Sequence, residues 1–329
     1  MSRIVMKIGA ILALAGALSG FALAAEEGTR KALTPDDFPH PGLTLPSDRP
    51  HAIAQAKSRA KRLYVATETG LFASEDGGRH WDPLRVPPTG NAAILAMAVD
   101  PLNEAHLYAG GRGGLWQSED GGTTWKTLSS PSLVRSAIRS IAIAPTVPEI
   151  LYVGTDQEGI FRSPDGGASW IPASRGLPEA LAGGRPTPIR SLAVDQTNPL
   201  IAYAATELHG LYKTTDGGAS WTAINRGLGL LPLQRRVGRP SLLINRADPR
   251  QIMAMLVRPL HSRLVKTFLY QSADGGEHWF ALEVELPSDA QGVALAEDPA
   301  DPQKVVLFTT TGATRIDWQS ITGVEATRE

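Results

Sequence analysis

The 329-residue chain contains no cysteine. That absence excludes disulfides, thiolate metal sites, a cysteine nucleophile and a diacylglyceryl-cysteine anchor, so the fold is held by packing alone. The seven histidines show no metal-ligand spacing, and the paired glycines sit in turns rather than in a phosphate loop. No metal and no cofactor are therefore expected. Neither sign of charge dominates, with 32 basic residues against 33 acidic ones. Bulk charge gives no case for nucleic acid. Beyond the N-terminus, no apolar run approaches the ~20 residues of a membrane span.

The first residues separate from the rest. Arg3 and Lys7 precede an uncharged apolar run over Ile8 to Leu18, and Ala22-Leu23-Ala24 supplies small residues for a signal peptidase. This predicts a secretory signal over residues 1–24, cleaved after Ala24, and a periplasmic or secreted protein with no remaining membrane span. An uncleaved anchor is the alternative. Cleavage would take the formal charge from −1 to −3 by removing two cations. Residues 25–50 are rich in Pro and Asp and read as a lead-in.

Self-similarity then sets the architecture. Five segments share one pattern: Ser74-Glu-Asp76-Gly-Gly78-Arg-His-Trp81, Ser118-Glu-Asp120-Gly-Gly122-Thr-Thr-Trp125, Ser163-Pro-Asp165-Gly-Gly167-Ala-Ser-Trp170, Thr214-Thr-Asp216-Gly-Gly218-Ala-Ser-Trp221 and Ser272-Ala-Asp274-Gly-Gly276-Glu-His-Trp279. Their tryptophans lie 44, 45, 51 and 58 residues apart. Each repeat carries four short apolar runs punctuated by Gly, Pro and Asp, which predicts four β-strands. The Asp-Gly-Gly step suits a tight turn, because glycine adopts positive φ and the carboxylate accepts local N–H groups. Tryptophan is expected to plug the space between neighbouring sheets.

A sixth, eroded unit follows the same order without a box, through Gly292-Val-Ala-Leu-Ala, Val305-Val-Leu-Phe, Gly312-Ala-Thr-Arg and Trp318. The units fall near 51–84, 92–128, 138–173, 189–225, 240–284 and 291–320 within a domain of 51–329. An all-β, six-bladed β-propeller of four-stranded antiparallel sheets is predicted, with seven blades as the alternative count.

The Ser/Thr-x-Asp-x-Gly-x-x-Trp motif resembles the Asp-box (BNR) repeat of sialidases, xyloglucanases, sortilin-like receptors and the photosystem II assembly factor family. The resemblance spans about residues 51–320 and implies a propeller in which the box is structural. It leaves function open between a glycan-active or glycan-binding protein and an assembly or scaffold factor. A sialidase would need a tyrosine nucleophile, yet all six tyrosines occupy repeat positions: Tyr64, Tyr108, Tyr152 and Tyr203 in one strand, Tyr212 and Tyr270 in another. Xyloglucanases resemble the repeat text more closely, but place two catalytic aspartates between two propellers, and only one is visible here. Asp100 and Asp195 sit at equivalent positions after a first strand and read as turn residues. No catalytic residue is assigned; were the chain an enzyme, glycoside hydrolysis would be its class.

A binding face can still be anticipated. In a four-stranded unit the box turns share one face with the turns between strands one and two. The linkers between units share the opposite face, and they vary: Arg85 to Ala93, Ser129 to Ala137, Ser174 to Pro188, and Asn225 to Arg239. From Arg226 to Lys266 run nine basic residues and one acid, Asp248; among them are Arg235, Arg236, Arg239, Arg258 and Arg263. Eight of the nine are arginine, which suits planar carboxylates. This predicts docking of a protein or peptide, acidic in character. The linkers hold no Trp or Tyr, which counts against a sugar-stacking platform. Aligning the repeats also places His51, Leu95, Arg139, Arg190, Pro240 and Gln291 at the mouth of a central channel, where His51, Arg139, Arg190 and Gln291 would offer polar contacts.

Overall fold

The computed structural model describes residues 50–318, except 57–60, 68–69, 89–92, 129–132, 134, 180–183, 230–239, 262–263, 285, 287–290, 299–300, 302 and 310–311. Of residues 258–261 and 264–265 the backbone alone is described. The predicted signal and lead-in lie outside the described residues, apart from Pro50.

Twenty-three strands form six antiparallel sheets among the described residues. Blade one runs β1 (Pro50–Gln55), β2 (Leu63–Thr67), β3 (Leu71–Ser74) and β4 (Asp82–Leu84). Blade two runs β5 (Ile94–Val99), β6 (Leu107–Gly111), β7 (Gly114–Ser118) and β8 (Lys126–Thr127). Blade three comprises β9 (Ile138–Ile143), β10 (Leu151–Thr155), β11 (Ile160–Ser163) and β12 (Ile171–Pro172). Blade four comprises β13 (Ile189–Val194), β14 (Ala202–Thr206), β15 (Leu211–Thr214) and β16 (Thr222–Ala223). Blade five has β17 (Ser241–Ile244), β18 (Ile252–His261), β19 (Leu264–Ser272) and β20 (Phe280–Leu282); blade six has β21 (Gly292–Glu297), β22 (Lys304–Thr309) and β23 (Gly312–Asp317). Each sheet follows chain order, and the sixth has three strands among the described residues rather than the predicted four.

The first strands pack against one another in sequence, and β1 also packs against β21, which closes the ring. The core is consequently six apolar layers, each between two sheets. One layer joins Tyr64, Leu71 and Trp116; another joins Tyr203, Tyr270 and Trp279; the closing layer joins Val306 and Phe308 to Ile53. Every second strand of blades one to four is buried along its whole length, because a neighbouring blade covers each of its faces. Such strands read as continuous apolar runs rather than as alternation. The outer strands are only two or three residues long and largely exposed. Short edges of this kind resist pairing with other chains.

The boxes are turns closed by one hydroxyl and one carboxylate. Ser118 Oγ donates to Asp120 Oδ1 at 2.8 Å and accepts the N–H of Gly122 at 2.8 Å. Asp120 Oδ1 also accepts the N–H groups of Thr123 and Thr124 at 3.0 and 2.8 Å. The two hydroxyl bonds recur around Ser74–Asp76, Ser163–Asp165, Thr214–Asp216 and Ser272–Asp274. Both glycines of every box have positive φ, Gly121 and Gly122 at 72° and 92°, the region a Cβ disfavours. The Thr124 hydroxyl, then its N–H, holds the Asp120 carboxyl down at about 2, and the Ser220 hydroxyl does the same for Asp216.

The tryptophans divide. Trp221 and Trp279 are buried and donate their indole N–H into the preceding blade, to Ala173 O and Ile224 O, each at 2.8 Å. Trp125 donates likewise to Arg85 O at 2.9 Å but is half-buried, as are Trp81 and Trp170. Trp170 bonds within its own box, to Gly167 O at 3.1 Å. The expected plug is thus filled by two of the five box tryptophans. Trp318 fills the space between blades five and six from a different position. It directly follows β23, is buried, and its N–H donates to Gln303 O at 3.0 Å. That is the bond the first box glycine makes elsewhere, as in Gly121 to Ala105 O.

Candidate binding face

Two faces follow from strand direction. The first glycine of each box donates to a carbonyl of the turn between strands one and two: Gly77 to Lys61, Gly166 to Glu149, Gly217 to Leu200, and Gly275 to Arg250. These pairs define a box face. On the other side, the turns after the second strands bond to the inter-blade linkers, Asp156 N–H to Ala137 O and Glu207 N–H to Pro188 O. That side is the linker face.

Arg85, Arg112, Arg135, Arg175, Arg185 and Arg226 are exposed in the linkers and second-strand turns, against exposed Glu158, Glu179 and Glu283. The box face exposes Glu75, Glu119, Asp120, Glu149, Asp165, Asp216, Asp274 and Glu277, together with Lys61, Arg79, Arg246 and Arg250. Among the described residues, exposed cations outnumber acids on the linker face and acids outnumber cations on the box face. Arg175 and Arg226 stand in matching turns, Ser174-Arg-Gly-Leu177 and Asn225-Arg-Gly-Leu228. The Arg175 carbonyl accepts the Trp221 N–H and the Arg226 carbonyl accepts the Trp279 N–H, each at 2.9 Å, so each linker is pinned to the following blade.

The nine-residue basic run does not stay on one face. Arg246 and Arg250 sit between β17 and β18, on the box face, and Arg250 pairs with Asp248 at 3.0 Å. The chain reverses direction between the linker and these residues, which a composition window cannot register. Arg235, Arg236, Arg239 and Arg263 lie outside the described residues. Arg258 lies in β18 beyond its pairing with β17.

Four of the residues aligned for the channel mouth share one register position. The second residue of β1, β5, β9 and β13 is an unpaired bulge residue: His51, Leu95, Arg139 and Arg190. In β21 the bulge falls at Val293, two residues after Gln291, which precedes the strand. Pro240 precedes β17.

Arg139 and Arg190 come together through acids that were not anticipated. Arg139 makes a bidentate pair with Asp156, at 2.8 and 2.7 Å. Arg190 reaches across from blade four to the same carboxylate at 3.0 Å and also pairs with Glu207. The four groups alternate in charge and balance. Their forks are occupied by the chain's own carboxylates, so these arginines act first as an inter-blade clasp. The signal for the acids was present: Thr155-Asp156 and Thr206-Glu207 end equivalent strands.

The glycosidase residues have turn roles. Asp100 Oδ1 accepts the N–H groups of Leu102 and Asn103, and Asp195 Oδ1 those of Thr197 and Asn198. Both lie on the box face, buried within their own turns. All six tyrosines are buried. Desolvation raises the hydroxyls of Tyr64, Tyr108, Tyr152, Tyr203 and Tyr212, Tyr108 to about 12, away from the direction an activated nucleophile needs. Among the described residues no His/Asp/Glu group could hold a metal, and no helix is long and apolar enough to cross a membrane.

Comparison with known proteins agrees on the fold. A family model described as Sortilin, neurotensin receptor 3 (Sortilin-Vps10) matches residues 113–235. No curated protein matches. The solved GH74 xyloglucanase from Xanthomonas campestris is 21% identical with a TM-score of 0.62, covering 84% of this chain and 46% of that one. The GH74 enzyme from Niastella koreensis is 18% identical with a TM-score of 0.59, over 83% and 46%. YCF48 bound to D1 peptide is 14% identical with a TM-score of 0.55, over 86% of this chain and 82% of that one. The chain thus spans less than half the length of each of these two GH74 structures. The molecule is an all-β propeller of six blades bearing Asp-box turns.

Proposed function

We propose that this is an exported, non-catalytic propeller that docks a protein or peptide through its linker face, as an assembly or scaffold factor of the periplasm or cell exterior. The observation that carries the reading is the excess of exposed cations on the linker face, Arg135, Arg175, Arg185 and Arg226 among them, where the box face has an excess of exposed acids among the described residues. Such a field favours and orients an acidic partner. The likeness to YCF48 in complex with a peptide supports peptide binding by a ring of this kind. The likeness to GH74 enzymes supports a second reading, a glycan-active chain.

One experiment separates them. The mature protein and an Arg135→Glu, Arg175→Glu, Arg226→Glu variant are used to capture partners from the native envelope fraction, and each is also incubated with xyloglucan. The variant should keep its stability, since exposed surface changes usually stay within about ±0.5 kcal/mol each. It should associate with the captured partner on the order of tenfold more slowly at low salt, and with a shallower salt dependence. Equal capture by both proteins would overturn the docking reading. Sugar release that disappears on mutating one carboxylate would establish the glycan reading in its place.

A further inference from the structure

The chain contains five Asp-Gly steps and no Asn-Gly step, and each Asp-Gly step lies inside a box, at Asp76, Asp120, Asp165, Asp216 and Asp274. Asp-Gly is the aspartyl sequence least hindered against internal cyclisation, since glycine puts no side chain beside the attacking nitrogen. In that reaction the glycine nitrogen bonds to Asp Cγ, and the amide proton leaves with the carboxyl hydroxyl as water. Water then reopens the five-membered succinimide at either carbonyl. One opening restores aspartate; the other leaves isoaspartate, in which the main chain runs through Cβ and Cγ. The turn cannot escape this chemistry by changing its glycine. A Cβ at Gly166 would meet nothing within 4 Å, yet its φ of 68° lies in the region that side chains rarely adopt.

The closed box withholds both reactants. Gly77, Gly121, Gly166, Gly217 and Gly275 each donate their N–H to a carbonyl of the turn between strands one and two, at 2.8–2.9 Å. The nitrogen that would attack is therefore engaged in every box. The carboxylate is held at both oxygens by the residue four on: His80, Thr124, Ser169, Ser220 or His278. Oδ1 accepts the N–H of that residue at 2.7–3.0 Å. Oδ2 pairs with its hydroxyl or its ring nitrogen at 2.5–2.7 Å. Cyclisation needs the neutral acid, because an ionised carboxylate is a poor electrophile and has no hydroxyl to shed. The N–H of His80 holds Asp76 below the usual carboxylate range, and the hydroxyls of Thr124, Ser169 and Ser220 do so for Asp120, Asp165 and Asp216.

We infer that each box is a lock on its own Asp-Gly bond: the hydrogen bonds that close the turn suppress succinimide formation, so isoaspartate forms at a box only when that box opens. The five aspartates are latent modification sites. Repeat architectures open by local units, so the sites respond one blade at a time. Isoaspartate lengthens the main chain by one carbon and moves the carboxylate, which removes the geometry the turn needs to close again. Opening of a blade is thereby recorded covalently.

The test holds the mature full chain at neutral pH in heavy-oxygen water and reads the label in the peptide carrying each box. Every passage through the succinimide leaves one heavy oxygen in the residue. The free peptide Ser118–Trp125 gives the rate without the fold. Labelling in the folded chain should be at least about tenfold slower than in the peptide, since reaction is confined to the open fraction. Thr124→Val removes the hydroxyl on Oδ2 from an exposed position, and Ser118→Ala removes the hydroxyl on Oδ1. Each should speed labelling of Asp120 at least about threefold while the other four boxes keep the parent rate. Should Ser118→Ala fail to fold, Thr124→Val decides. A folded parent that labels as fast as the peptide would overturn the lock. A folded variant that leaves Asp120 at the parent rate, or speeds all five boxes alike, would overturn it too, by assigning the protection to the ring as a whole.

Discussion

Trp279→Ala is expected to lower stability by about 3–5 kcal/mol, the cost of removing a large buried side chain and leaving its cavity. Trp279 is 2% exposed and packs with Tyr203, Leu228 and Tyr270 between blades four and five. Its indole also satisfies the Ile224 carbonyl, which the truncation leaves buried without that donor. The half-buried Trp125 makes the same kind of bond, to Arg85 O, but removes less surface from water. Trp125→Ala should therefore cost less, about 1–2 kcal/mol. Urea unfolding of the two variants checks the order. Equal midpoints would contradict the division of the box tryptophans into plugs and rim residues.

Gly227→Ala is expected to cost about 2–5 kcal/mol. Gly227 has φ +91°, and a Cβ there would lie 2.1 Å from Trp279 O, a backbone atom that cannot move aside alone. The left-handed backbone contributes about 1–2 kcal/mol for an L-residue, and relief of the clash about 1–3 kcal/mol more. The linker would have to leave the Trp279 backbone, breaking the bond from Trp279 N–H to Arg226 O. The exposed Arg226 would lose its fixed position with it, so the urea midpoint should fall. A midpoint within about 0.5 kcal/mol of the parent would show that this turn does not pin the blades.

Much of the fold was legible because its determinants are local. A Ser/Thr hydroxyl, an Asp carboxylate and two glycines close each box within eight residues, and a repeat of the motif repeats the blade. What escaped the sequence depends on distance or on register. Gln291 aligns with His51, Arg139 and Arg190 in the eroded sixth repeat, whereas the residue in their bulge position is Val293, because that repeat has no box to anchor the alignment. Arg246 and Arg250 were grouped with the linker arginines because charge was counted along the chain, whereas β17 carries the chain to the other face between them. The Arg139–Asp156–Arg190–Glu207 clasp joins positions 17 to 34 residues apart, and only alignment of the strand ends brings its acids into view. The long spacing between Trp221 and Trp279 reads in the sequence as extra length between strands two and three of blade five. That it is a continuation of β18 and β19 follows from pairing, since apolar strand sequence does not show where a neighbouring strand stops.

The central claim is that partners meet the linker face. Photo-crosslinking residues placed singly at Gln157 and Arg185 on that face, and at Leu102 and Val147 on the box face, test it most directly in the native envelope. All four positions are exposed, so each side chain can report contact. The account predicts one shared adduct from positions 157 and 185 and none from 102 and 147. Adducts confined to 102 and 147 would place the partner on the box face and contradict it.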